Sequence, residues 1–349
     1  MRIATIVKDL NVYRNYPPFL EKLAERTELH LLYLYGEPFR KSDIRFHKSK
    51  VGKPSSISIG RELASLVNSV GIDVIYVLDG IFYEKVGLMA SKMTDKALVV
   101  RLRTNELKVR KLSGENPLKT FLWHQIHKCV LKGSSGISVI SHELQEYAQK
   151  IVRGRKPVKL IYHGVDCQQF RPMRMDKPYE NAVLVVNGLR RLKGAEMLLK
   201  VAKQTPKVHY IVIGGADKVY LNSLPPNVHY HGFIERENMP TYYNMAHLTL
   251  MPTLTEGLPD VLLESLACGT PVVASKVGEI PFVLKEAFGW VVEEYSAEAY
   301  VKVLLEALND KERLREMGMK GREYVVKNFT WDKFLNETLK LFEEVLGQH

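Results

Sequence analysis

Short β-branched apolar runs alternate with segments of helical period along almost the whole chain, and this alternation limits the fold more than any other feature. The first half supplies "RIATIV" (2–7), "LHLLYLY" (29–35), "DVIYVL" (73–78), "ALVVRL" (97–102), "GISVI" (136–140) and "VKLIYH" (158–163). The second half supplies "AVLVVN" (182–187), "VHYIVI" (208–213), "NVHYHG" (227–232), "HLTLMP" (247–252) and "TPVVAS" (270–275). Strands that alternate with helices imply crossover connections, hence parallel sheets covered on both faces. So many strands would make one large sheet, and "CQQFRPMRMDKPYEN" (167–181) is rich in turn and polar residues. It reads as the linker between two doubly wound, Rossmann-like domains, expected at 1–165 and 166–328. The end is expected to be helical over 297–308, 310–327 and 331–346, with 329–349 returning toward the N-terminal domain. Two such sheets facing each other would open a cleft at their strand C-termini, where ligands of this fold class bind.

Composition narrows the class. With 46% hydrophobic and 26% charged residues the chain is of ordinary globular type. No apolar run approaches the ~20 residues that span a bilayer. The opening "MRIATIVKDL" turns polar too early for a secretory signal. Cys129, Cys167 and Cys268 stand apart, forming neither a disulfide framework nor a zinc pair. A cytoplasmic protein is expected. The net charge of +11 is uneven: residues 1–165 carry 28 Lys/Arg against 15 Asp/Glu, and the rest 22 against 24. The surplus gathers in "RKSDIRFHKSKVGK" (40–53) and "RLRTNELKVRK" (101–111). It is either a solvated face or a surface for something anionic, such as a phosphorylated acceptor or an acidic membrane bound peripherally. No nucleic-acid module is recognisable, so a nucleic-acid partner is not expected.

The chemistry concentrates in "TEGLPDVLLESLACGTPVVAS" (255–275). Pro259 suits the first turn of a helix and not its interior, so Glu256 falls in the preceding loop and Glu264 inside the helix. Gly269 ends that helix. The loop presents the N–H groups of Gly257 and Leu258 at a helix N-terminus, an environment that favours an anion. Two carboxylates beside an anion site are reconciled by a ligand with two sugars flanking one diphosphate. Glu256 then serves the transferred sugar, the amides the phosphate, and Glu264 the ribose. A second basic turn, "NGLRRLKG" (187–194), sets Arg190, Arg191 and Lys193 before another helix. Cations there can neutralise a departing diphosphate. Which of Arg190 and Arg191 does so is open, and either could be merely exposed. No DxD pair, HExxH or Cys/His cluster suggests a metal, and no cofactor beyond a nucleotide-sugar co-substrate is expected.

"EGLPDVLLESLACGTPVVASKVGEIPFVL", with Glu256-x7-Glu264, resembles the donor-site signature of the retaining family 4 glycosyltransferases, whose fold is the two-lobed GT-B type. "LIYHGVDCQQFRP" (160–172), "NGLRRLKG" and "VHYHGFIERENMPTYYNMAHLTLMPTLTEGLP" resemble further family segments in the same order. The likeness covers roughly residues 135–346 and is faint before that. It implies a hexosyl transfer from a UDP- or GDP-sugar to a carbohydrate, lipid-linked or phosphorylated acceptor. By residue it implies Glu256 at the transferred sugar, Glu264 at the ribose, Lys193 at the diphosphate and the Gly232-Phe233 backbone near the base. Gly188 stands where the family's phosphate-binding Arg usually falls, so either Arg190 or Arg191 takes that role or the role is missing. "KDLNVYRNYPP" (8–18) lacks the family's Gly-Gly pair, and "RLRTNE" (101–106) replaces a cleft His. Arg14, Arg103 and Asn105 become the candidate acceptor-side residues.

Two other readings compete: a sugar-nucleotide epimerase on the same fold, and a non-catalytic sugar-nucleotide-binding relative. A nicotinamide enzyme is disfavoured because no strand leads into GxGxxG. His124, His127 and Cys129 share one helical segment but lack a fourth metal ligand. "FLWHQIHKCVL" (121–131), with its basic neighbours, suits either a membrane surface or a buried helix.

Overall fold

The computed structural model describes residues 1–10, 19–38, 43–52, 54–78, 80–186 and 188–348. It divides into two compact units, Met1–Gly164 with Trp331–His349, and Val165–Thr330. In the first unit seven strands form one parallel sheet: β1 (Arg2–Asp9), β2 (Glu28–Tyr35), β3 (Arg45–Lys48), β4 (Val74–Leu78), β5 (Ala97–Leu102), β6 (Gly136–Val139) and β7 (Val158–Leu160). Their order is β3-β2-β1-β4-β5-β6-β7. The second unit holds a parallel six-stranded sheet of β8 (Ala182–Val185), β9 (His209–Ile213), β10 (Val228–Gly232), β11 (Leu248–Met251), β12 (Val272–Ser275) and β13 (Gly289–Val292). Its order is β10-β9-β8-β11-β12-β13. Both are Rossmann-like α/β arrangements.

The strands read as unbroken apolar runs because helices cover both faces. β4, β5, β6, β8, β11 and β12 are buried at every position. Two strands differ from the sequence expectation. β3 lies inside the basic stretch 40–53, where "RFHK" has no apolar alternation. It forms because β2 supplies a ladder of partners from His30 to Tyr33, and charged residues are tolerated on an edge strand. β13, "GWVV", is the opposite edge of the second sheet and pairs only with β12. Four residues give too short a pattern to distinguish strand from loop.

The C-terminal helix Trp331–Leu346 packs on the sheet of the first unit. Phe334, Leu335, Leu341, Phe342 and Val345 join Val7, Leu31, Tyr76 and Val99 in one buried cluster. Phe342 meets Tyr76 edge-on, with ring centroids 5.2 Å apart. Gly136 lets the helix approach β6, since a Cβ there would stand 2.7 Å from Val345 Cγ2. Phe342→Ala should lower the unfolding free energy by about 3–5 kcal/mol, read from urea denaturation of the full chain. A wild-type midpoint would mean that this helix lies outside the cooperative core.

Candidate functional site

In each sheet the strand order reverses once, between β1 and β4 and between β8 and β11. The helices that follow two such neighbours go to opposite faces, leaving a crevice beyond their C-terminal ends. In the second unit the described residues of the turn after β8 include "GLRRLKG" (188–194), and the turn after β11 is "PTLTEGLP". Both sequence motifs therefore stand at one switch point.

The two turns touch through backbone. Gly194 has φ +81°, and a Cβ on it would lie 1.8 Å from the Pro252 carbonyl oxygen. Gly188 has φ +73°, with the same clash against the Gly215 carbonyl. Only glycine fits such approaches in that conformation. Between them Arg191–Lys193 make one 3₁₀ turn, followed by helix Ala195–Gln204. Lys193 Nζ stands 2.6 Å from Glu256 Oε1, and Thr253 Oγ1 lies 3.1 Å from the same oxygen. The Glu256 side chain is 11% exposed and that of Lys193 31%. Arg190 lies across the loop after β9, close enough that a Cβ on Gly215 would meet its Nη2 at 2.4 Å. The Arg191 backbone N–H points to Asp217 Oδ2 at 3.4 Å. The Arg190 side chain thus lies against the loop after β9, and Arg191 meets the same loop through its backbone.

Helix Asp260–Ala267 begins one residue later than a proline in its first turn would require. Pro259 is the N-cap, extended at ψ 130°, and forms no side-chain cap. Among the described residues the N–H groups of Gly257 and Leu258 donate to no backbone carbonyl, while the Gly257 carbonyl accepts from Glu279 N at 2.9 Å. The mouth of the helix keeps donors available for an acceptor from outside. Asp260 in its first turn is a competing negative charge.

Glu264 lies deeper, with its side chain 4% exposed. Tyr243 donates its hydroxyl to Oε2 at 2.9 Å. Arg236 Nη1 stands 2.8 Å from Oε1, within ion-pairing distance but off the line of an aligned hydrogen bond. The Arg236 guanidinium also covers the Phe170 ring at 5.1 Å. Burial pushes the Glu264 carboxyl above the ordinary carboxylate range, and Arg236 pulls it partway back. A ribose hydroxyl reaching Glu264 would enter this network rather than meet a free carboxylate. Sequence reasoning did not single out Arg236 or Tyr243. Their link to Glu264 is a contact over 28 and 21 residues, with no local spacing to announce it.

The other candidates are more dispersed. Gly232 ends β10 at φ +73°, its carbonyl accepts from Gly214 N at 2.7 Å, and the Phe233 side chain beside it is 65% exposed. Arg103 follows β5 in the first unit and is half-buried. Asn105 serves as a helix N-cap, accepting from Lys108 N at 3.0 Å and donating to Glu143 at 2.9 Å. Arg14 lies outside the described residues. His127 Nδ1 pairs with buried Glu84 at 2.6 Å, and Trp123 stacks on its ring. Among the described residues no group of three or more His, Cys, Asp or Glu is placed to hold a metal ion. Nor among them is any helix long and apolar enough to cross a membrane.

The pattern of the family described as glycosyl transferases group 1 matches residues 173–324. N-acetyl-alpha-D-glucosaminyl L-malate synthase of Bacillus anthracis is 22% identical over 355 residues, covering 93% of this chain and 92% of that one. Other curated relatives align over 32%, 47% and 51% of their own length. Among solved structures, sucrose-phosphate synthase from Thermosynechococcus elongatus superposes with TM-score 0.85 at 21% identity, covering both chains completely. Anabaena Alr3699/HepE in complex with UDP gives TM-score 0.76 at 16% identity, over 98% of this chain and 100% of that one. The fold is of the GT-B glycosyltransferase class. This chain is a glycosyltransferase whose second unit carries a group 1 domain.

One titration follows from the buried carboxyl. Native Glu264 holds its proton to higher pH than the unfolded chain does, where the ordinary value is 4.5. Its contribution to stability is complete below about pH 4.5 and falls as pH rises through the raised value. Glu264→Gln cannot titrate, so the variant's urea midpoints should lose that part of the pH slope. Superimposable pH–stability curves would assign the ionisation to another group.

Proposed function

We propose that this chain is a retaining glycosyltransferase of the family 4 type. It moves a hexosyl group from a nucleoside-diphosphate sugar to an acceptor hydroxyl without a metal ion. The observation that carries this reading is the Lys193–Glu256 contact of 2.6 Å at the β8/β11 switch point. It puts a cation, a carboxylate and a helix mouth within one small volume, as a sugar diphosphate requires. The diphosphate lies against the Gly257 and Leu258 amides, with Lys193 and Arg190 or Arg191 meeting its charge. Lys193 then exchanges Glu256 for phosphate, and Glu256 is left to accept from hydroxyls of the transferred sugar. Glu264, steadied by Arg236 and Tyr243, accepts from the ribose, while the Gly232-Phe233 backbone borders the base.

In the reaction the bond from anomeric carbon to diphosphate oxygen breaks. The acceptor oxygen bonds to the same face of the sugar, and its proton passes to the departing diphosphate. The protein's work is positioning and stabilisation of leaving-group charge. Complexes of a fold neighbour with UDP and glucose support a nucleotide-sugar donor. The names of the malate and sucrose-phosphate synthases point to anionic acceptors in those proteins. The basic first half of this chain suits the same kind of acceptor, carbohydrate or lipid-linked and phosphorylated.

Release of nucleoside diphosphate from a panel of UDP- and GDP-sugars, with and without acceptors, tests the proposal. Lys193→Ala should lower kcat about a hundredfold or more, and Glu264→Ala should weaken donor binding about tenfold. No turnover with any donor would count against transfer, and an isomerised sugar nucleotide formed without acceptor would indicate an epimerase instead.

A further inference from the structure

The first unit contains a feature that the donor reading does not use. Helices Pro117–Gly133 and His142–Val152 border two adjoining hollows that share His124 in their walls. One, of about 340 Å³, is lined by His124, Lys128, Lys132, Tyr147, Lys150 and Arg153. The other, of about 720 Å³, has Leu107, Pro117, Thr120 and Phe121 in its wall. The first is cationic, and the second is mostly apolar with Lys111 and Glu115 also in its wall.

The positive charge is largely uncompensated. Glu146 reaches Lys150 only at 3.8 Å, Glu84 is taken by His127, and Glu115, beside the apolar hollow, pairs with Arg110. Among the described residues no acid pairs with Lys128, Lys132 or Arg153. The C-terminal end of helix Pro117–Gly133 would oppose an anion, but Lys156 Nζ occupies it, bonding the Lys132 carbonyl at 2.7 Å and that of Ser134. Arg153, the left-handed C-cap of helix His142–Val152 at φ +53°, also lines this hollow. His124 bonds Tyr147 Oη at 3.2 Å, which fixes the wall between the two hollows.

The same helix leaves a row of large apolar side chains in the open. Leu118, Phe121, Leu122 and Ile126 are 65%, 57%, 53% and 37% exposed, at spacings that put them on one face. Scattered apolar residues need no explanation, but a continuous row edged by lysines has the composition of an interfacial helix. Phe121 belongs both to this row and to the apolar hollow.

We propose that this double hollow seats one phosphate-headed lipid of an anionic bilayer. The phosphate sits among Lys128, Lys132, Lys150 and Arg153, and the first carbons of a chain lie against Leu107, Pro117 and Phe121. Leu118, Leu122 and Ile126 meet the neighbouring chains. Charge selects the ligand, because Lys128, Lys132 and Arg153 without acidic partners, and Lys150 held by Glu146 only at 3.8 Å, attract an anionic headgroup and repel a cationic one. The apolar hollow and the exposed row select a lipid over a free phosphate. This assignment does not rest on the donor reading, and its test measures binding rather than turnover.

The full chain is sedimented with vesicles of phosphatidylcholine alone and with phosphatidylglycerol added. Binding is expected only with the anionic lipid and should fall with added salt. Lys128→Gln with Lys132→Gln should weaken it roughly twenty-five-fold, at about fivefold for each charge. Phe121→Ser with Leu122→Ser should abolish sedimentation while inorganic phosphate still shifts the His124 ring resonances. Equal binding to neutral vesicles, or binding untouched by the lysine pair, would overturn the proposal. So would a His124 response to inorganic phosphate with no vesicle binding, which would make this a soluble-phosphate site.

Discussion

The close seating of the turn after β8 on the turn after β11 governs the second unit. Gly194 lies so near the Pro252 carbonyl that no Cβ fits between them. That contact, and not any feature of Lys193 itself, brings the ammonium within 2.6 Å of Glu256. Strand order is the deeper cause: β8 and β11 are neighbours whose following helices leave on opposite faces. Loops at that point face a crevice by construction, so groups recruited there converge without elaborate support.

Glu264 follows a different physical rule. It is buried, so its charge is costly unless matched, and the match comes from Arg236 and Tyr243. Removing one partner of such a pair harms stability more than the pair contributes, since an uncompensated charge remains in a poorly hydrated place. A carboxylate held in this way keeps one orientation in the absence of ligand. That suits a group meant to grip a sugar ring, at the cost of competition from Arg236 for the same oxygen. Lys193 and Glu256 are more exposed, and their contact is correspondingly easier to exchange.

The first unit uses the same sheet order for a different surface. Its excess of lysine and arginine is not spread evenly. Part of it blunts the edge strand β3, where Arg45 and Lys48 discourage further strand addition. Another part lines the hollow between helices Pro117–Gly133 and His142–Val152. Asn105 shows how a polar residue beside a strand end can be consumed locally, since capping one helix and bonding Glu143 use both ends of its amide.

Features that depend on neighbours along the chain were legible in the sequence. Apolar runs gave eleven of the thirteen strands among the described residues and both Rossmann-like sheets, because strands buried on both faces must be apolar at successive positions. Pro259 and Gly269 bracketed a helix, so Glu256 fell in a loop and Glu264 within the helix. Tertiary structure alone decided the rest. β3 and β13 exist because a partner strand offers hydrogen bonds, not because their four residues favour extension. Arg236 and Tyr243 reach Glu264 from distant segments, and the Arg190 side chain settles against Gly215 in the loop after β9. Periodicity records which face of an element is buried, whereas the identity of what it is buried against is set by the folded chain as a whole.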